Sequence, residues 1–393
     1  MKKNGNYISI RESRKILKYN NRQMRYYEKL KKHKRDASEY TVRMRDENNI
    51  IEIDDLHTVF FTDNGTVQSV NGVSFDIPKK KIVGVVGESG CGKSVTSLSV
   101  MQLVQAPQGQ IVGGQIRFNS DELGKDDEGK KIAYDIAKMP TVEMYKVRGK
   151  DITMIFQEPM TSLNPVFTVG NQLDEVSFTH NPEISKEDAK NCSIDMLKKV
   201  GIAMPEHVYK SYPHELSGGM RQRVMIAMAL VGDPKLIIAD EPTTALDVTI
   251  QAQILELLKK LQQEQGCSIM LITHDLGVIA EMADEVVVMY AGKVIEKGTA
   301  AEIFHNPLHP YTMGLQKSKP LITSSSSEPL YSIPGQVPNP INLPDACYFK
   351  NRCDKCCAKC EGGYPPEIKV SDTHYVSCYL YDDKSDGTEE EQK

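Results

Sequence analysis

From Val83 to Met101 the chain passes from a short apolar stretch through Gly87-Glu88-Ser89-Gly90-Cys91-Gly92-Lys93-Ser94 into a helix-forming run, and no other feature constrains the fold as much. Val83, Val85 and Val86 read as a buried strand. Glycines at 87, 90 and 92 let the backbone bend so that successive N–H groups point inward. Val95 to Met101 reads as a helix whose positive N-terminal end faces the same point. A strand, a glycine-rich turn and a Lys-Ser pair in that order build a cradle for a triphosphate. Lys93 is expected to reach the β- and γ-phosphates and the Ser94 hydroxyl to hold Mg²⁺. Cys91, inside the loop, reads as a small loop residue and not as a nucleophile.

Such a loop does not settle the reaction, but a second constellation narrows it. About 150 residues further on, the apolar run Leu236-Ile237-Ile238-Ala239 ends in Asp240 and Glu241. Two carboxylates at the end of a strand suit the carboxyl edge of a parallel sheet, where Mg²⁺ and an attacking water meet. Asp240 is expected to support Mg²⁺, and Glu241 to orient or deprotonate the water. Between the two lies Leu216-Ser217-Gly218-Gly219-Met220, a turn leading into a helical run from Val224 to Val231. Its unpaired N–H groups and hydroxyl offer a second contact for an anion.

With these three constellations the chain resembles the nucleotide-binding subunits of ATP-binding cassette (ABC) transporters, Leu216 to Met220 being the signature loop. Met220 stands where that family usually has glutamine. The resemblance implies roles for further residues. Gln157, after Ile152-Thr153-Met154-Ile155-Phe156, matches the glutamine that links Mg²⁺ and the attacking water to the membrane-subunit interface. Ala245-Leu246-Asp247 matches the short loop across the dimer seam. His274, after Ile269-Met270-Leu271-Ile272, matches the switch histidine at the γ-phosphate. The adenine-stacking aromatic is expected at Phe61, with Phe60 as the alternative, and either also fits as strand core. Implied nucleotide contacts are thus Phe61, then Gly87, Glu88, Ser89, Gly90, Cys91, Gly92, Lys93, Ser94 and Val95, with Ser217, Gly218, Gly219 and Asp247. Catalysis falls to Glu241, His274 and Gln157, and Mg²⁺ to Ser94, Gln157 and Asp240. ATP binds between two such subunits arranged head to tail, so one chain alone is expected to be nearly inactive.

The alternation of strands and helices argues for an α/β fold around a parallel sheet. The full expectation is a P-loop NTPase of ABC type with a helical signature subdomain, a flanking antiparallel β subdomain and a Cys-rich C-terminal extension. Residues 50 to 86 alternate apolar and polar positions in short runs, as strands do; residues 185 to 200 and 217 to 232 read as helices. Val248 to Gln265 reads as an amphipathic helix with Ile250, Ile254, Leu257, Leu258 and Leu261 on its core face. The boundaries follow as a basic extension over 1–47, an ATPase domain over 48–305 with its helical subdomain at about 158–232, a C-terminal extension over 306–381 and an acidic tail over 382–393.

Composition, 40% hydrophobic and 26% charged, is that of a globular chain. No run of about 18 apolar residues is available to span a bilayer, and the start lacks the apolar core of a signal peptide. The chain is therefore expected at the cytoplasmic face of the membrane, reaching it through other subunits. The net charge of −5 hides an asymmetry between the Lys- and Arg-rich residues 1–47 and the acidic run Asp382 to Glu391. The basic arm reads as a solvated, partly helical extension; anionic headgroups and nucleic acid are the alternatives.

After the serine run Ser324 to Ser327, six cysteines crowd into a short segment. Cys347, Cys353, Cys360 and Cys378 are separated by five, six and seventeen residues, with Cys356 and Cys357 between them. Disulfides suit a reducing compartment poorly, which leaves a metal centre or unliganded thiols. His309-Pro310-Tyr311-Thr312, the run Cys347 to Cys353 and the run His374 to Cys378 resemble the C-terminal extension of oligopeptide and dipeptide importer ATPases. That resemblance implies a four-iron, four-sulfur cluster on Cys347, Cys353, Cys360 and Cys378, with zinc as the alternative, and a structural His374. The partners it implies are a second, related ABC ATPase subunit, two integral membrane permease subunits and an extracytoplasmic peptide-binding protein. Nucleic acid is not expected. Oligopeptide import is the expected task; dipeptide or nickel import, or a non-transport ATPase on nucleic acid or ribosomes, are the alternatives.

Overall fold

A computed structural model describes residues 9–157, 162–244, 247–318, 331–341 and 343–384. Its strands, in chain order, are β1 (Thr41–Arg43), β2 (Asn49–Thr62), β3 (Gly65–Pro78), β4 (Ile82–Val86), β5 (Gly109–Phe118), β6 (Ile132–Asp135), β7 (Ile152–Ile155), β8 (Leu236–Asp240), β9 (Ser268–Ile272), β10 (Glu285–Tyr290), β11 (Lys293–Thr299), β12 (Ile368–Lys369) and β13 (Tyr375–Val376). They form two sheets. A five-stranded antiparallel sheet has the order β1-β6-β5-β2-β3, and an eight-stranded mixed sheet has the order β12-β13-β11-β10-β4-β9-β8-β7. From β7 to β10 the larger sheet is parallel, and β11, β13 and β12 add to it antiparallel.

The central strands are buried on both faces, as crossover helices require of a parallel sheet. Alternate residues go to opposite layers. Ile82, Val86, Ile237, Ala239, Ile269 and Leu271 join a core with the helices, whereas Val83, Val85, Ile238, Met270 and Ile272 join one with the antiparallel sheet. Between β7 and β8 stand the helices Val169–His180, Lys186–Lys199, Pro205–Lys210 and Gly218–Leu230, the helical insertion expected there. The helix Val248–Gln265 is also where its periodicity predicts. Asp247 caps its start by accepting the Ile250 N–H at 3.0 Å, and Gly266, at φ +68°, ends it. Ile254, Leu257, Leu258 and Leu261 are buried, and Ile250 is half-buried.

The basic arm is more tied to the body than a solvated extension would be. Its helix Ile10–Lys32 starts with a Ser9–Glu12 capping box. Buried Asn20 donates from Nδ2 to the Thr62 carbonyl at 2.7 Å, Glu28 accepts from Gln110 at 2.8 Å, and Tyr27 stacks on Phe61. Beyond the helix, β1 pairs with β6, so residues 41–43 belong to the antiparallel sheet.

The C-terminal region is knit in just as closely. β13 pairs with β11, and the buried Glu296 on β11 accepts from the Leu308 and His309 N–H groups at 2.7 and 2.9 Å while meeting His374 Nε2 at 2.8 Å. His374 is thus an internal anchor. His309 is buried too, and its Nδ1 accepts the Tyr311 N–H at 3.0 Å, capping the helix Pro310–Lys317. The serine run 324–327, and all but three residues of the acidic tail 382–393, lie outside the described residues.

Burial holds the His309 imidazole neutral, with its pKa lowered to about 4. The unfolded chain takes up that proton near pH 6.5, so the stability contributed by neutral His309 is whole above about 6.5. It should decline by up to about 3 kcal/mol as pH falls toward 4. His309→Asn keeps a capping acceptor that does not titrate. Urea midpoints measured between pH 7 and 4.5 should therefore fall less in the variant than in the parent.

Candidate active site

The parallel sheet brings the carboxyl ends of β4, β8 and β9 to one edge. The turn after β4 holds the predicted phosphate loop, with φ of +152° at Gly87, +78° at Gly90 and +104° at Gly92. These are left-handed values that favour glycine. At Gly92 a Cβ would stand 2.4 Å from the Ser69 carbonyl oxygen, so the loop also needs glycine there for space. The helix Lys93–Val100 begins directly after it. Lys93 is buried and its Nζ curls back to donate to the carbonyls of Gly87 at 2.7 Å and Glu88 at 3.1 Å. Its positive charge therefore sits at the loop's concave side, where phosphate oxygens would be met. Val95 packs its side chain partly against the core, and buried Cys91 has its thiol pKa raised by burial, which makes it a poor nucleophile.

Ser94 Oγ donates to Asp240 Oδ1 at 3.1 Å, joining the first helix turn to the end of β8. Burial raises the Asp240 carboxyl pKa, the Ser94 hydrogen bond opposes that, and the neighbouring Glu241 charge adds to the rise. Glu241 lies at φ +46°, a left-handed position that costs a non-glycine residue about 1–2 kcal/mol. Its N–H donates to the Ile272 carbonyl at 2.8 Å, and this holds the kink. The kink turns the carboxylate toward three side chains. Gln157 Nε2 donates to Oε2 at 3.1 Å, Thr244 Oγ1 donates to it at 2.9 Å, and His274 Nδ1 stands 3.4 Å from Oε1. A cleft of about 310 Å³ opens beside Gly87 and His274.

The structure thus gathers Lys93, Ser94, Asp240, Glu241, Gln157 and His274, which lie far apart in sequence. Ser94, Gln157 and Asp240 suit Mg²⁺, which takes few protein oxygens and leaves its other positions to water and phosphate. Among the described residues, no three His, Cys, Asp or Glu side chains form a ready metal site.

Other expected contacts stay apart from this group. Ser217 caps the helix Gly218–Leu230, accepting the Met220 N–H at 3.4 Å, and no hydrogen bond or ion pair joins Ser217, Gly218 or Gly219 to the phosphate loop among the described residues. Asp247 spends its carboxylate on its own helix, and Ala245 and Leu246 lie outside the described residues. Phe61 is 6% exposed beneath Tyr27, with ring centroids 6.5 Å apart, whereas Phe60 is half-buried. The phosphate loop's Ser89 and Gly90 are exposed.

Two supporting residues escape a sequence reading. Gln222, in the helix after the signature turn, donates to the Pro242 carbonyl beside Glu241; a buried amide gives no periodic signal. Thr244 could have been suspected as a turn hydroxyl three residues after Glu241.

The cysteines share one lobe. The Cys347 N–H donates to the Cys360 carbonyl at 3.0 Å, and the thiols of Cys357 and Cys360 are 3.6 Å apart. Burial pushes up the pKa of Cys347, Cys353, Cys360 and Cys378. Their chemistry suits iron–sulfur or zinc, but their side chains are not drawn into a ligand set.

Comparison with known proteins agrees with this geometry. Residues 70–244 match the ABC transporter family model, and residues 295–360 match that of the oligopeptide/dipeptide transporter C-terminal region. The chain is 51% identical over 331 residues to the oligopeptide transport ATP-binding protein OppD of Bacillus subtilis, covering 84% of this chain and 88% of that protein. It is 47% identical over 337 residues to the dipeptide transport ATP-binding protein DppD of the same organism, covering 86% and 96%. A dimeric ATP-binding cassette in a post-hydrolysis state with ADP and Pi aligns with a TM-score of 0.53 at 25% identity, over 64% of this chain and 98% of that one.

The glycine geometry yields an internally controlled test. Gly92→Ala meets both strain and the Ser69 carbonyl, whereas a Cβ at Gly90 would meet nothing within 4 Å. Titration with a fluorescent ATP analogue should show Gly92→Ala losing affinity by at least about tenfold and Gly90→Ala losing clearly less, since its strain alone costs about 1 kcal/mol.

Proposed function

We propose that this chain, which belongs to the ABC transporter family in its oligopeptide and dipeptide branch, is the ATP-hydrolysing subunit that powers a peptide importer, with oligopeptides as the cargo. The observation that carries the reading is the convergence of Lys93, Ser94, Asp240, Glu241, Gln157 and His274 at one sheet edge. Resemblance over more than four-fifths of the chain to oligopeptide and dipeptide transport proteins supports the cargo class.

Bound Mg²⁺–ATP would supply the phosphoryl group and the charge neutralisation that its transfer needs. The loop's N–H groups and Lys93 hold the phosphates; Ser94, Asp240 and Gln157 hold the cation. Glu241, its carboxylate held between Gln157, Thr244 and His274, accepts the proton of the attacking water or orients it. His274 sits against the same carboxylate, at the γ-phosphate side. Gln157 touches Glu241 and lies at the start of the helical insertion, so it can report site closure to membrane helices.

Ser217, Gly218, Gly219 and Asp247 point elsewhere within one chain. They complete the site from a second ATPase subunit, a related paralogue in our reading. Two permease subunits and an extracytoplasmic peptide-binding protein make up the rest, which sets the chain at the cytoplasmic face of a membrane. No described helix is long and apolar enough to cross a bilayer, which fits attachment through partners. Adenine stacks on Phe60 or Phe61, and stacking on Phe61 requires Tyr27 to move. Cys347, Cys353, Cys360 and Cys378 would hold a four-iron, four-sulfur cluster, or zinc, as thiolate ligands. The domain division that goes with this reading is 1–47, 48–305 with its helical subdomain at about 158–232, 306–381 and 382–393, with β1 (Thr41–Arg43) of the first segment paired into the antiparallel sheet of the second.

Glu241→Gln should keep nucleotide affinity while phosphate release by the assembled transporter falls by about 100-fold or more, as loss of a general base predicts. Normal turnover would remove Glu241 from this role. Anaerobically purified chain should contain about four irons and four sulfides, or else one zinc, and lose them in Cys353→Ser but not in Cys356→Ser. Absence of all three elements would leave the thiols unliganded.

A further inference from the structure

Arg352 lies in the short turn Lys350–Arg352, between Cys347 and Cys353, yet its guanidinium reaches the side chain of Glu88 in the phosphate loop. Nη1 donates to Glu88 Oε2 at 2.8 Å and Nη2 to Glu88 Oε1 at 2.9 Å, a two-pronged pair across 264 residues of sequence. The Arg352 side chain is only 5% exposed. Nε donates to the Pro334 carbonyl at 2.9 Å, Nη2 also to the Ile333 carbonyl at 3.2 Å, and the group lies over the rings of Tyr290 and Phe349. Such a fork has one orientation available to it.

Glu88 is held at every polar point. Its N–H donates to the buried Tyr311 hydroxyl at 2.8 Å, its carbonyl accepts from Lys93 and its carboxylate from Arg352. Tyr311 and Phe349 pack together, so both anchors come from the region matched to the oligopeptide/dipeptide C-terminal model. Within this chain the Glu88 carboxylate is turned to Arg352.

A carboxylate within a phosphate-binding turn is an electrostatic liability. Left unpaired, it would repel the incoming phosphates across a partly desolvated site. We propose that Arg352 is a positioning residue for the nucleotide site: it neutralises Glu88 and fixes the first turn of the phosphate loop, so the C-terminal cysteine lobe sets how tightly the anionic nucleotide is held. This rests on the reading of residues 87–94 as the ATP site.

The test measures affinity of the full-length chain for a fluorescent ATP analogue with Mg²⁺, alongside its melting temperature without nucleotide. Arg352→Gln should weaken binding by about tenfold or more, the scale of a charge-assisted pair. Adding Glu88→Gln should recover much of that loss, because the exposed repulsive charge is gone. Arg352→Lys, charged but unforked, should fall between. A variant that only melts earlier with unchanged affinity, or a double variant weaker than Arg352→Gln alone, overturns the proposal. Should Arg352→Gln not fold, Arg352→Lys decides: parental affinity overturns the proposal, and a loss that Glu88→Gln reverses upholds it. If the parent chain binds no nucleotide, the ATP-site reading falls first and this inference with it, an outcome distinct from equal affinity among binding-competent variants.

Discussion

The parallel alignment of β4, β9 and β8 is the constraint on which the remainder depends. β4 pairs with β9 up to Val85↔Ile272, and β9 pairs with β8 at Ile272↔Asp240. Three strands thus end at one level, and the three chemically loaded turns leave the sheet side by side. The register leaves little freedom, because side chains alternate faces and a slip of one residue would send Asp240 to the opposite layer. Ser94 could then no longer reach it. The apolar residues on both faces of these strands therefore enforce the distances between Ser94, Asp240 and Glu241 as firmly as the polar residues do.

Signals that are local in sequence were legible. The glycine turn, the apolar strand ending in Asp240-Glu241 and the helix Val248–Gln265 each carry their reason within about twenty residues, as glycine φ requirements, period-two burial or a 3.6-residue stripe. Gln157, His274 and Asp247 were reached only through resemblance, since a polar residue after a strand has no distinctive period. The docking of the basic arm was not legible. Its charge suggested solvation, while the contacts that hold it, Asn20 on Thr62 and Tyr27 on Phe61, involve a single amide and a single ring. Charge density describes the exposed face of a helix and is silent about the buried one.

Phe61 illustrates how a local reading leaves alternatives open. The sequence admits it as an adenine platform or as strand core, and its burial under Tyr27 makes it core in this arrangement. The cysteine spacing behaves similarly. It leaves a metal centre and unliganded thiols both open, and although the Cys347 N–H meets the Cys360 carbonyl, spacing carries no information on whether thiols converge within ligand distance.

The C-terminal region reaches the nucleotide site by two independent physical routes. One runs through the backbone, from β13 to β11 to β10 and then to β4, whose end is the phosphate loop. The other runs through side chains, from the turn beside Cys353 through Arg352 to Glu88. Backbone pairing alone would transmit only gross loss of the sheet, since a ladder is either formed or not. A buried two-pronged ion pair is different, for it can be weakened by a small displacement of one turn while the fold stays intact. Any change that shifts the Lys350–Arg352 turn acts on the phosphate loop first and on global stability second. Linkage then requires the reverse as well: nucleotide held in the loop must tighten the cysteine lobe by the same free energy.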